Sequence, residues 1–223
     1  PDGRLKVVKA LRGEAKELKF TQQSQGMLTD WIVRRFAAAG KSIELDAAQR
    51  LIFISGDLMS RLIPEIDKLA AYAKGERVTV KDVDAVASHI PEAVIFEMTE
   101  LISQKKYNSA MSVLAELLSD KNNEPIAMTA MLGLQMRKLY AARLAIEQEL
   151  GSKYVMEVCA IKYDYIASKL MAAARGFTLP QLIRAVELCG EADYRMKSSG
   201  QDARELLKEA VARIAAGESK CTA

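Results

Sequence analysis

Apolar residues recur along most of this chain at helical spacing. Leu62, Ile66, Leu69 and Ala73 mark one face of a helix. Ala203, Leu206, Leu207, Ala210, Val211 and Ile214 mark another, with Asp202 and Glu205 placed to cap it. Between these lie helices predicted over 27–39, 45–54, 58–74, 79–88, 94–103, a segment through 110–118, 125–150, a short piece around Val155, 163–174 and 178–197. Gly40, Gly56, Gly75, Gly151 and Gly176 stand at predicted helix ends. Thr79 with Asp82, and Thr178 with Gln181, have the spacing of capping boxes. Pro64 falls inside the third predicted helix, where a kink or break is expected.

The start of the chain has a different pattern. Residues 4–12 read like the interior of an element, and 15–20 alternate as one strand. A lone strand cannot satisfy its own edges, so a sheet-containing domain cut short is expected here, followed by a connector over 21–26. Pro91 is the expected boundary between four shorter helices and about six longer ones.

Composition supports a mainly helical globular chain: 223 residues, half of them hydrophobic, with only 6% aromatics. Thirty-two basic against 29 acidic residues leave a net charge of +3, which argues against a free-standing polybasic nucleic-acid binder. Cys159, Cys189 and Cys221 are far apart and form no CxxC pair, so a reducing, cytoplasmic setting is expected, without disulfides or a zinc site. No apolar run reaches the roughly 18–20 residues of a membrane span.

Catalytic chemistry is sparse. His89 is the one histidine, beside Pro91 at a helix end, and reads as structural or solvent-facing. No phosphate loop, GxGxxG, HExxH or GxSxG pattern occurs. Neither a catalytic residue nor a cofactor or metal site is assigned. Met128, Met131 and Met136 read as adaptable core packing, with a Met-lined partner groove as the alternative. Cys159 and Cys189 read as buried hydrophobes. Glu65, Asp67 and Lys68 read as a solvated helix face, and Arg137, Lys138 and Arg143 as solvated or paired with Glu147 and Glu149, with a phosphate-facing strip as the alternative. Arg195, Lys197, Ser198 and Ser199, with Gly200, form the best candidate DNA contact: a helix end and a helix start meet there with cations, hydroxyls and free N–H groups. An ordinary interhelical turn is the other reading.

These residues carry a family resemblance. Gly56, Asp57 and Leu58, then Glu65 to Leu69 and Tyr72, then Val78 to Val83, resemble the lid of the delta-subunit family of bacterial DNA polymerase III clamp loaders. Lys9 to Leu11, Leu28 to Ile32 and Gly40 resemble the end of that family's first domain and the entry to its lid. Ala93 to Glu97, Gln135 to Leu139, Ala174 to Phe177 and Glu191 to Lys197 resemble its collar. The resemblance implies a remnant of an AAA+-like domain over 1–22, a helical lid over 23–91, a helical collar over 92–216 and a flexible tail over 217–223. It implies a non-catalytic accessory part of a DNA-directed DNA polymerase complex. Such a part joins other clamp-loader subunits through the collar, meets the sliding clamp only through the N-terminal part absent here, and meets primer–template DNA indirectly.

ATP-binding lids of this kind carry an Arg three residues after the Gly that corresponds to Gly56. Met59 stands there, and a thioether cannot neutralise phosphate. Arg61 lies about 200° further round the helix. Gly200 stands where some relatives place an aromatic that stacks at the template junction, so that role is not carried over. A free helical nucleic-acid-binding module and a truncated AAA+ ATPase are the competing readings.

Overall fold

The computed structural model describes residues 23–218 together with Lys6, Val7, Ala10, Leu11 and Ala15. Beyond Ala15, the strand predicted over 15–20 lies outside the described residues, as does Cys221. The fold is mainly helical. Among the described residues the first group comprises α1 (Gln25–Ala38), α2 (Leu45–Ser55), α3 (Met59–Tyr72) and α4 (Val80–Val86). The second comprises α5 (Pro91–Ser103), α6 (Tyr107–Ser119), α7 (Pro125–Glu147), α8 (Ser152–Val158), α9 (Asp164–Ala174), α10 (Leu179–Ser198) and α11 (Ala203–Ala215).

Local chemistry sets most of these boundaries. The capping box at Thr79 forms through the Asp82 carboxylate, which accepts from the Thr79 N–H and hydroxyl, each at 2.8 Å. At Thr178 the N–H donates to Gln181 Oε1 (2.9 Å) while the hydroxyl accepts from the Gln181 N–H. Gly56 ends α2 at φ +88°, a conformation only glycine adopts without strain.

Four expectations about the elements need correction. α1 starts at Gln25, within the expected connector, because the Ser24 hydroxyl accepts from the Met27 N–H and caps it. α3 runs through Pro64 without a break; the apolar face of Leu62, Ile66 and Leu69 is fully buried, and that packing outweighs the one lost hydrogen bond. α7 ends at Glu147, short of Gly151, with Glu149 itself left-handed at φ 56°. The chain beyond the connector, whose spacing predicts helices throughout, also holds strands. Two short strands, β1 (Ser42–Ile43) and β2 (Arg77–Val78), pair in parallel with Ser42 opposite Arg77 and Ile43 opposite Val78. Lys41 Nζ clasps the same seam by donating to the carbonyls of Ala73 (2.8 Å) and Gly75 (2.7 Å).

Two apolar cores result. One gathers Leu28, Ile32, Phe36, Leu51, Leu62, Leu69 and Val83 from α1–α4, and Tyr163 joins it from the far half of the chain. The other gathers residues of α5–α11 around α7, which packs on α10, α9, α5 and α8. Gly176 allows the closest approach in this second core. A Cβ there would lie 2.4 Å from the Ser103 carbonyl oxygen at the end of α5.

The segment between the cores is tied to the first. The Ile90 N–H donates to the Ile54 carbonyl (2.7 Å), Ser55 Oγ to the Ser88 carbonyl (2.9 Å), and the Ser88 N–H to Glu65 Oε2 (3.0 Å). Glu65 is therefore no part of a solvated face, which corrects the sequence reading. It is buried, and it also pairs with Lys68 at 2.8 Å. Burial alone would raise its pKa. The Lys68 ammonium and the Ser88 N–H more than offset this and hold it below its ordinary value.

Candidate functional site

The two cores meet across a cleft of about 450 Å³. Ile52, Phe53 and Gly56 line it from α2 and its end, Phe96, Met131 and Leu134 from α5 and α7, and Ile161 to Tyr163 from the segment before α9. Phe53 and Phe96 meet edge to face with ring centroids 5.1 Å apart. Lys162 reaches Asp57 at 3.4 Å. Burial, and then the Asp57 carboxylate, push the Tyr163 phenol up to about 12, so it stays protonated. The lining is mostly apolar, and His89, which is exposed, is not among it. Among the described residues no group of His, Cys, Asp and Glu is placed to hold a metal ion. Nor, among them, is any helix long and apolar enough to cross a membrane.

The predicted DNA-contact residues do come together at one turn, where Gly200 is left-handed at φ 65°. Several of their polar atoms are engaged within the chain. Arg195 Nη1 lies 3.0 Å from both Glu209 carboxylate oxygens, and Nε donates to Gln201 Oε1 at 3.1 Å. Lys197 pairs with Asp193 (2.7 Å), while Ser198 Oγ and Ser199 Oγ donate back to the Tyr194 and Arg195 carbonyls. The turn thus presents paired charges and internally bonded hydroxyls.

Sequence reasoning missed the network beside this turn. Arg184 is buried and pairs with Glu191 (2.6 Å), Glu218 (2.9 Å) and Glu187 (3.1 Å). Arg213 pairs with Glu218 (2.6 Å) and extends to Glu191 and Glu209. The network fastens α10, α11 and Glu218 together. An Arg on the apolar side of a helical stripe was the available signal. Arg213, and then Arg184, hold the Glu218 carboxyl down to about 2, against an ordinary value near 4.5. A depressed folded-state pKa contributes stability above pH 4.5 that fades as pH falls towards 2. Glu218→Gln is accordingly expected to flatten the loss of thermal midpoint between pH 4.5 and 2, and to change its slope above pH 5 little.

Other candidates lie where their chemistry places them. Met128 and Met136 are core residues and Met131 lines the cleft. Cys189 is buried, and burial pushes its thiol up to about 12, so it is no thiolate nucleophile. Burial likewise raises Cys159. Arg143 pairs with Glu147 at 3.2 Å. Met59 packs against the first core and Arg61 is exposed.

One surface is not explained by internal packing. Thr129 Oγ1 reaches Met196 Sδ at 3.5 Å, and a Cβ at Gly133 would lie 3.4 Å from Cys189 Cβ. The paired numbers run in opposite directions, so α7 and α10 are antiparallel. The residue after each contact is rotated by about 100°, which turns both helices' next positions to the same side. Ile126, Ala130 and Leu134 of α7 therefore share an outer face with Ile183, Gly190 and Tyr194 of α10. Leu134 and Ile183 are each 48% exposed and Tyr194 is 71% exposed. Nothing lies within 4 Å of a Cβ at Gly190.

Comparison with known proteins bears on this second core. The family described as DNA polymerase III delta subunit, C-terminal domain, matches residues 92–214, just over half of the chain. The DNA polymerase III subunit delta of Bacillus subtilis is 27% identical over 208 residues, 93% of this chain and 59% of that protein. The probable DNA polymerase III subunit delta of Aquifex aeolicus is 26% identical over 188 residues, 83% of this chain and 53% of that protein. The solved structure of the Bacillus subtilis DNA clamp loader delta protein superposes with a TM-score of 0.67 at 26% identity, covering 96% of this chain and 63% of that one. The chain thus spans a little over half the length of the curated relatives it matches. With α5–α11 built as a single core around α7 and matched along nearly its whole length, the chain belongs to the family defined by the C-terminal domain of DNA polymerase III delta subunits.

Proposed function

We propose that this chain is the lid and collar part of a clamp-loader delta subunit, an accessory, non-catalytic piece of the replicative polymerase machinery. In this reading α1–α4 form the lid, α5–α11 the collar, and the α7–α10 face is where sister subunits pack. The observation that carries it is that face. Two long helices of the family-matched core leave a shared apolar surface uncovered, and exposed apolar patches of this kind mark association sites. Specific assemblies of this type bury more than about 1,000 Å², which side-by-side helices supply. Met59 supports a lid that does not act on nucleotide, because it gives its side chain to the first core and leaves no cation in its place.

The test is co-elution of the chain with the other loader subunits on a sizing column. Wild type is expected to co-elute. The double variant Ile183→Asp with Tyr194→Asp is expected to weaken association by at least about 100-fold, since each charge would be desolvated against an apolar partner. Unchanged co-elution of the double variant would remove the face from this role.

A further inference from the structure

Arg137 lies in the middle of the α7–α10 face and has no partner there. It is exposed, and among the described residues its guanidinium makes no hydrogen bond and no ion pair. Its guanidinium lies beside Gly133. A Cβ at Gly133, one turn back on α7, would lie 3.6 Å from Arg137 Nη1 and 3.4 Å from Cys189 Cβ. The guanidinium therefore folds back over Gly133 and rests on the seam between the two helices. On α10, Asp193 pairs with Lys197 and Glu187 with Arg184.

We propose that the partner covering this face is an apolar helix surface that delivers an Asp or Glu carboxylate to Arg137. The inference rests on the reading of α7–α10 as the association face and adds the chemistry of what binds there. In the free chain water solvates the guanidinium. A partner seated on Leu134, Ile183 and Tyr194 removes that water. An unpaired charge under an interface is strongly disfavoured, whereas a carboxylate matches the fork of guanidinium N–H groups with two parallel bonds. Arg and Tyr, both exposed on this face, are also residue types that dominate binding energy at interfaces. Arg137 then sets which partner is accepted, because a helix with an apolar or basic residue at that point leaves the charge unanswered.

Association with the other loader subunits, measured for Arg137→Gln beside Ile183→Asp with Tyr194→Asp, tests this. Arg137→Gln is expected to weaken association by about 30-fold or more, with an unchanged thermal midpoint because the side chain bonds to nothing within the chain. Arg137→Lys is expected to recover only part of the loss, since an ammonium lacks the fork. If the apolar double variant abolishes association while Arg137→Gln binds like wild type, the carboxylate is refuted and the face stands. If neither variant changes association, both fall. If the chain alone sediments as a dimer that Tyr194→Asp dissociates and sister subunits do not compete, the face belongs to a second copy and the proposal is overturned.

Discussion

Phe36→Ala is expected to destabilise the α1–α4 core by about 3–5 kcal/mol. Phe36 is fully buried among the largest side chains of that core, with no room for its neighbours to collapse cheaply. The lost transfer energy and the cavity left behind add, and together they approach the whole stability of a domain this small. The two cores share few residues, chiefly through Phe53, Ile166 and the outlying Tyr163. We therefore expect calorimetry to show an early transition moved down by many degrees and a later one, from α5–α11, nearly unmoved. A single transition that shifts as one would mean that residues 23–91 and 92–216 are not separate units, and the proposed division at Pro91 would be withdrawn.

Gly176→Ala is the second large effect, and it acts on the other core. The added methyl would sit 2.4 Å from the Ser103 carbonyl oxygen and 2.9 Å from its carbonyl carbon and Cα, all backbone atoms. No rotamer relieves a clash with backbone. The end of α5 and the α9–α10 turn must separate, opening the packing around Phe177 and Ile102. Overpacking of this kind costs about 1–3 kcal/mol and more where the obstacle cannot yield, so the upper end is expected. Chemical denaturation would read it directly. A midpoint within error of wild type would show that the approach of these two elements is loose.

The helices were legible because each writes its burial into its spacing. The α11 stripe from Leu206 to Ile214 is buried as its offsets required, and the boxes at Thr79 and Thr178 announced two helix starts. What spacing could not show was tertiary. Glu65 looks like any helix-surface acid until Ser88, 23 residues away, offers it an N–H. The strands at Ser42 and Arg77 are two residues each, below any periodic signal, and exist because distant segments meet. The turn from Arg195 to Gly200 was visible as a cluster of cations and hydroxyls. The carboxylate facing Arg195 comes from Glu209 on the next helix, and only folding brings the two side by side. The α7–α10 face was hidden for a related reason: α7 is apolar on nearly every side, so its pattern does not say which side is left uncovered.

The segment that crosses between the cores is bonded at Ser88 and Ile90 to the first of them, and Tyr163 returns to that same core from the second half of the chain. The Phe53–Phe96 ring contact and the Lys162–Asp57 ion pair cross the same boundary. Turning one core against the other would have to part all of these together, so the cleft between Phe53 and Leu134 keeps its width for as long as they hold.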